Sequence, residues 1–155
     1  MTLDKELIAL LKEEIEILHN IKKITYDKTD IIVNNKVEDL ENITKTEEDL
    51  INKLALKEKE RENLLDNWGL DKNMTISKIM EKVPMGKEEL NSLREELLVT
   101  LSHIQSRNTL NNELIIENLQ WLDFNMNLIY NIQTPPTYGK EEKSQGGNSL
   151  FDRKV

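Results

Sequence analysis

The sequence predicts an all-α fold: an elongated antiparallel helical hairpin, a short helix, a long C-terminal helix and a flexible tail. Three observations carry that expectation. Charged residues make up 32% of the 155 residues and aromatics only 5%, a mix suited to long helices with solvated faces. No glycine or proline stands between Met1 and Trp68, so nothing in that stretch breaks a helix outright. Leucines and isoleucines recur at steps of three and four, the helical period, rather than alternating as in a strand. The length suits one domain with a real core. The expected division is a helical domain over 1–133 and a flexible tail over 134–155.

The first helix is marked by Leu3, Leu7, Leu11, Ile15, Leu18 and Ile21, with Ile8 and Leu10 widening the stripe into a core-facing surface. The pattern pauses at Val33-Asn34-Asn35-Lys36. Asparagine is the usual non-glycine residue to take the left-handed conformation that ends a helix, so a tight reversal is expected there. Periodicity resumes at Val37, Leu40, Ile43, Leu50, Leu54, Leu64, Leu65 and Trp68. Glu47 and Arg61 fall on seam positions where a strict coiled coil would carry leucine. Two helices of roughly 30 residues, at about 1.5 Å per residue, make a hairpin on the order of 45 Å long. The run Lys57-Glu58-Lys59-Glu60-Arg61-Glu62 would lie beside the early turns of the first helix and reads as a solvated face held by weak i,i+4 pairs.

Gly69 ends the second helix as a C′ residue, and Thr75-Ile76-Ser77-Lys78-Ile79-Met80 with Val83 reads as a short helix stopped by Pro84. A turn at Met85-Gly86 leads into a last long helix from Lys87 to about Gln133, with Leu90, Leu93, Leu97, Leu101 and Ile104 on one face and Pro135-Pro136 as its stop. Residues 134–155 are rich in proline, glycine, serine and charge, the composition of a segment that buries too little to offset its ordering entropy.

Composition also narrows the function. A net charge of −8, with no basic stripe interleaved with aromatics, repels phosphate backbones and argues against nucleic acid and anionic membranes as partners. No stretch approaches the roughly 20 apolar residues of a membrane span. The start, Met1-Thr2-Leu3-Asp4-Lys5-Glu6, lacks the pattern of a signal peptide. Together with the absence of cysteine, this makes a cytoplasmic location the expectation. No enzymatic constellation is legible: there is no nucleophile with its base and no glycine-rich phosphate loop. Glu16-Ile17-Leu18-His19 is an E-x-x-H on one helical face, as in di-iron bundles. His103 is preceded at the matching position by Thr100, so the required second motif is missing. A surface histidine in a Glu-rich helix is the better reading, and neither a metal nor another cofactor is expected.

The region 107–132 differs from the rest. Its charges are Arg107, Glu113, Glu117 and Asp123, set among many Asn, Leu and Ile residues. At 100° per residue, Ile115, Leu119, Leu122, Met126 and Ile129 form one stripe, and Leu114, Trp121, Phe124, Leu128 and Ile132 form another on a different side. One stripe can pack on the chain's own hairpin, and a slender three-helix bundle has little room for the second. Both could be core, satisfied by wrapping or dimerisation. An apolar surface that takes an amphipathic helix from a partner is the functional alternative.

These residues, in order, resemble the FlgN family of flagellar export chaperones, type III secretion helpers. The resemblance runs from the leading Leu/Glu helix through Glu47-Glu48-Asp49-Leu50, Leu54, Glu60-Arg61, Leu64-Leu65 and Trp68-Gly69. It continues with Thr75-Ile76, then Asn108-Thr109-Leu110-Asn111 and Leu114, and ends at Tyr138-Gly139-Lys140 and Ser149-Leu150-Phe151-Asp152-Arg153-Lys154. It implies a cytoplasmic, non-enzymatic chaperone that caps the terminal helical segments of hook-associated (hook–filament junction) proteins, prevents their premature assembly and delivers them to the export gate. By analogy, the partner-binding residues are Leu114, Trp121, Phe124 and Leu128, with Leu150 and Phe151 of the tail in support. The competing expectation is a structural coiled-coil protein that dimerises through the same stripes and has no export role.

Overall fold

The first helical stripe folds as expected. In the computed structural model, which describes residues 2–130 apart from the side chains of 121, 122, 124, 125 and 127–130, α1 spans Leu3–Val33. Leu7, Leu11, Ile15, Leu18 and Ile21 are all buried along it. At its end Asn35 takes φ +53°. The amide of Lys36 donates to the Ile31 carbonyl and that of Asn35 to the Ile32 carbonyl, so two carbonyls left over at the helix end are satisfied in a Schellman turn.

Helix α2, Val37–Asn67, runs back along α1. The cross-helix pairs show the direction, since Lys28 meets Glu47, Glu14 meets Arg61, Glu13 meets Lys57 and Glu6 meets Trp68. A second Schellman turn closes α2: Gly69 sits at φ +75°, its amide donates to Asp66, and the Leu70 amide donates to Leu65. The apolar periodicity extended to Trp68, yet that residue is the C-cap and stays 46% exposed. Its indole Nε1 donates to a Glu6 carboxylate oxygen at 3.1 Å.

The short α3, Ile76–Lys82, begins at Thr75, whose hydroxyl accepts from the Lys78 amide, a standard N-cap. Ile76, Ile79 and Val83 are buried, and α3 packs on the next helix. Gly86 then turns the chain at φ +82°, where a Cβ would lie 3.1 Å from Asp4 Oδ2. Helix α4, Lys87–Tyr130, is the longest at 44 residues. Its predicted end near Gln133 and the tail over 134–155 lie outside the described residues, and so does the expected domain boundary between 133 and 134.

Four helices and no strand make up the described residues, in agreement with the all-α expectation. Both α2 and α4 pack along α1, which is the central helix, while α2 and α4 scarcely meet. The apolar core gathers where α1 begins, α2 ends and α3 closes over. Leu7, Leu11, Leu65, Ile76, Ile79, Leu90 and Leu97 are all within 1% of full burial. Each such side chain contributes about 1.5–3 kcal/mol through burial.

The run at 57–62 departs from a purely solvated face. Arg61 is 4% exposed with its Nε 3.8 Å from a carboxylate oxygen of the fully buried Glu14. Lys57 reaches across to Glu13 as well as along its own helix to Glu60. The charges on the seam are thus matched across the hairpin, as Lys28 is to Glu47 at 3.3 Å.

Candidate functional site: the projecting end of α4

Helix α4 runs parallel to α1. Lys12 meets Glu89 at 2.9 Å, His19 meets Glu96 at 2.8 Å, Thr29 meets Asn111 at 2.6 Å, and Asn118 donates to the Ile32 carbonyl at 3.5 Å. Asn118 also donates to Asn35 Oδ1, in the turn that forms the hairpin tip. The tip therefore lies at the level of Asn118, while α4 continues as a helix to Tyr130. At about 1.5 Å per residue, that continuation projects roughly 18 Å past the hairpin. Asp123 is its one charged residue.

This geometry changes the expected fate of the two stripes. The first residues of both stripes, Leu114 and Ile115, are partly buried at the level of α1, but the hairpin reaches only as far as Asn118, so neither stripe has α1 beside it beyond that level. Leu114 lies at the last turn of α4 flanked by α1 and is partly buried. Met126, in the projecting part, is 43% exposed. Trp121, Phe124 and Leu128 belong to the helical backbone of α4, but their side chains lie outside the described residues. Leu150 and Phe151 lie outside them entirely.

Sequence reasoning missed the chemistry of the seam leading to this projection. Beyond Ile21 the α1 face changes from leucine and isoleucine to Thr25 and Thr29, and the facing α4 position is Asn111; all three are buried. The Thr29 hydroxyl donates to Asn111 Oδ1 at 2.6 Å, and Asn111 Nδ2 donates to the Thr25 carbonyl at 3.0 Å. Arg107 lays its guanidinium 3.9 Å from the Tyr26 ring centroid and donates to the Thr29 hydroxyl. The available signal was threonine replacing leucine at i, i+4 along a stripe otherwise apolar.

The E-x-x-H fragment behaves as a surface pair. His19 is hydrogen-bonded to Glu96 at 2.8 Å with both side chains about half exposed. Among the described residues no group of three or more His, Cys, Asp or Glu could hold a metal ion. No helix of the described residues is long and apolar enough to cross a membrane.

The comparison that decides the family covers residues 1–146, which match the model described as "FlgN protein". The chain belongs to the FlgN family. A relative from Bacillus subtilis (strain 168), "Uncharacterized protein YvyG", is 26% identical over 157 residues, covering 97% of this chain and 98% of that protein. No solved structure matches. FlgN membership supports a role in flagellum biogenesis as a type III export chaperone, in a family that is not enzymatic. The family match includes all of α4 and Tyr138-Gly139-Lys140, and stops before Ser149–Lys154.

Proposed function

We propose that this FlgN-family chain binds hook-associated, hook–filament junction proteins in the cytoplasm through the projecting end of α4. It would thereby prevent their premature assembly and deliver them to the export gate. The observation that carries the reading is the projection itself, about 18 Å of charge-poor helix beyond the tip of its own hairpin. A client whose terminal helices polymerise needs its apolar face covered, and a helix end with no neighbouring helix among the described residues is a natural cover. Leu114, Trp121, Phe124 and Leu128 are the proposed contacts, with Leu150 and Phe151 adding to them from the tail. Each buried apolar side chain would contribute at most about 1.5–3 kcal/mol before ordering costs.

Calorimetric titration of the full chain with purified junction proteins tests this reading, alongside Trp121→Ala and Phe124→Ala. Binding that both variants weaken supports the chaperone role and the α4 surface together. Binding that they leave intact keeps the role and moves the surface. A stable dimer that ignores junction proteins would favour the structural coiled coil instead. The charged seam pairs, each formed within one chain, support the chaperone reading over that one.

A further inference from the structure

The base of the hairpin, at the far end from the projection, carries an open surface of its own. Between α1 and α2 lies a groove of about 390 Å³ with Ala9, Leu10 and Leu64 as its floor and the carboxylates of Glu6 and Glu60 on its rim. Ala9 is exposed and the two leucines are half-buried. Leu10 stands roughly 160° around α1 from Lys12, which meets Glu89 of α4, so the groove opens on the flank of the hairpin away from α4. Trp68, 46% exposed, is held beside it by the hydrogen bond from its indole to Glu6. An exposed aromatic ring fixed in this way is an anchor for a partner, since little of its freedom remains to be lost. The charge at the groove is one-sided. The neighbouring Lys57 is already shared between Glu13 and Glu60, and the Glu6 carboxylate is bonded by an indole rather than by a cation.

We propose that this groove docks a short amphipathic protein helix, which sets an apolar edge on Ala9, Leu10, Leu64 and Trp68 and lysine or arginine side chains against Glu6, Glu13 and Glu60. From Glu60 to Asn67 the groove runs roughly 10 Å, the length of two helical turns. Its rim selects the partner by charge: carboxylates attract a basic helix and repel an acidic one, and they repel phosphate-bearing surfaces as well. Roughly 40 Å of α1 separates Glu6 from the hairpin tip. A helix docked here therefore leaves the projecting end of α4 free, and the chain can join two proteins rather than only cover one. The groove is a property of the hairpin and does not depend on the chaperone reading.

Two synthetic helical peptides test this. They share one leucine–alanine edge, flanked by lysine and arginine in the first and by glutamate in the second, and each is titrated into the full-length protein by NMR. The basic peptide is expected to bind and to shift the Ala9, Leu10 and Leu64 amides and the Trp68 indole, with the acidic peptide at least about tenfold weaker. Ala9→Arg, at an exposed position, should weaken the basic peptide about tenfold with the melting temperature unchanged. Glu6→Gln with Glu60→Gln should weaken it about fivefold, whereas Glu41→Gln with Glu48→Gln, the same loss of charge at exposed positions elsewhere on α2, should change it less than about twofold. Equal losses from both pairs, or shifts spread over every acidic face, would mean a general attraction between charges and overturn the site, as would a basic peptide that fails to bind. In a second arm, a junction protein shown by titration to bind is added first, and the basic peptide should keep its affinity within about twofold. Mutually exclusive binding overturns the two-ended arrangement. If no junction protein binds, the chaperone reading fails and the peptide arm alone decides the groove.

Discussion

Arg61 and Glu14 face each other inside the hairpin at 4% and 0% exposure. Removing one member of such a pair leaves the other charge buried without that partner, whereas replacing both with apolar groups removes two desolvation penalties at once. Arg61→Ala is expected to destabilise the fold by about 3–5 kcal/mol in urea unfolding. Glu14→Leu with Arg61→Met should be neutral or stabilising, by up to about 4 kcal/mol. Single and double variants equally unstable would mean that the pair is not what holds the site. The turn glycines separate in the same way. Gly69→Ala meets open space and only the left-handed backbone cost, roughly 1–2 kcal/mol. Gly86→Ala adds a Cβ 3.1 Å from Asp4 Oδ2 and should cost more in the same assay. A pH effect is expected at Lys57. Its hydrogen bond to Glu13, and then that to Glu60, raise its pKa above the ordinary lysine value. Its contribution is therefore fully present below that ordinary value and lost as pH rises through the raised one. The melting-temperature gap between wild type and Lys57→Met should be constant near neutrality and close at strongly alkaline pH.

The helices differ in how plainly the sequence announced them. α1 and α2 were legible almost to the residue, because a leucine period without glycine or proline leaves little else for the chain to do. Asn34-Asn35 and Gly69 carried the left-handed turns that end them. The partnership of α4 was not legible. Periodicity says that a face is apolar without saying which neighbour meets it or where that neighbour ends, and the level of the hairpin tip is set by Asn118 meeting Ile32 and Asn35. Glu14 escaped notice because a charge among leucines looks solvated until its partner, Arg61, arrives from another helix. Asn111 was hidden for the same reason: only tertiary structure places it against Thr25 and Thr29. Asn111→Ala, which removes two buried hydrogen bonds while the Thr29 hydroxyl keeps the Thr25 carbonyl as acceptor, is expected to cost about 1–3 kcal/mol by thermal or urea unfolding. A silent substitution would mean that water replaces the amide without loss.

At the scale of the molecule, the proportions carry the functional argument. A well-anchored apolar end, capped by α3, supports a hairpin whose other end buries Thr25, Thr29, Ile32 and Asn111 and is outrun by α4. Deleting residues 138–155 is expected to leave the melting temperature unchanged while weakening client affinity in titration; unchanged affinity would confine the contacts to α4. The central claim, that the projecting end of α4 holds the client, is tested most directly by site-specific photo-crosslinking. A photoreactive side chain is placed in turn at Trp121, Phe124 and Leu128 of α4, and at the exposed Ile51 and Lys59 of α2, in the presence of a junction protein. The account predicts crosslinks to the client's terminal helical segment from the three α4 positions and none from α2. Crosslinks from the hairpin, with α4 silent, would contradict it.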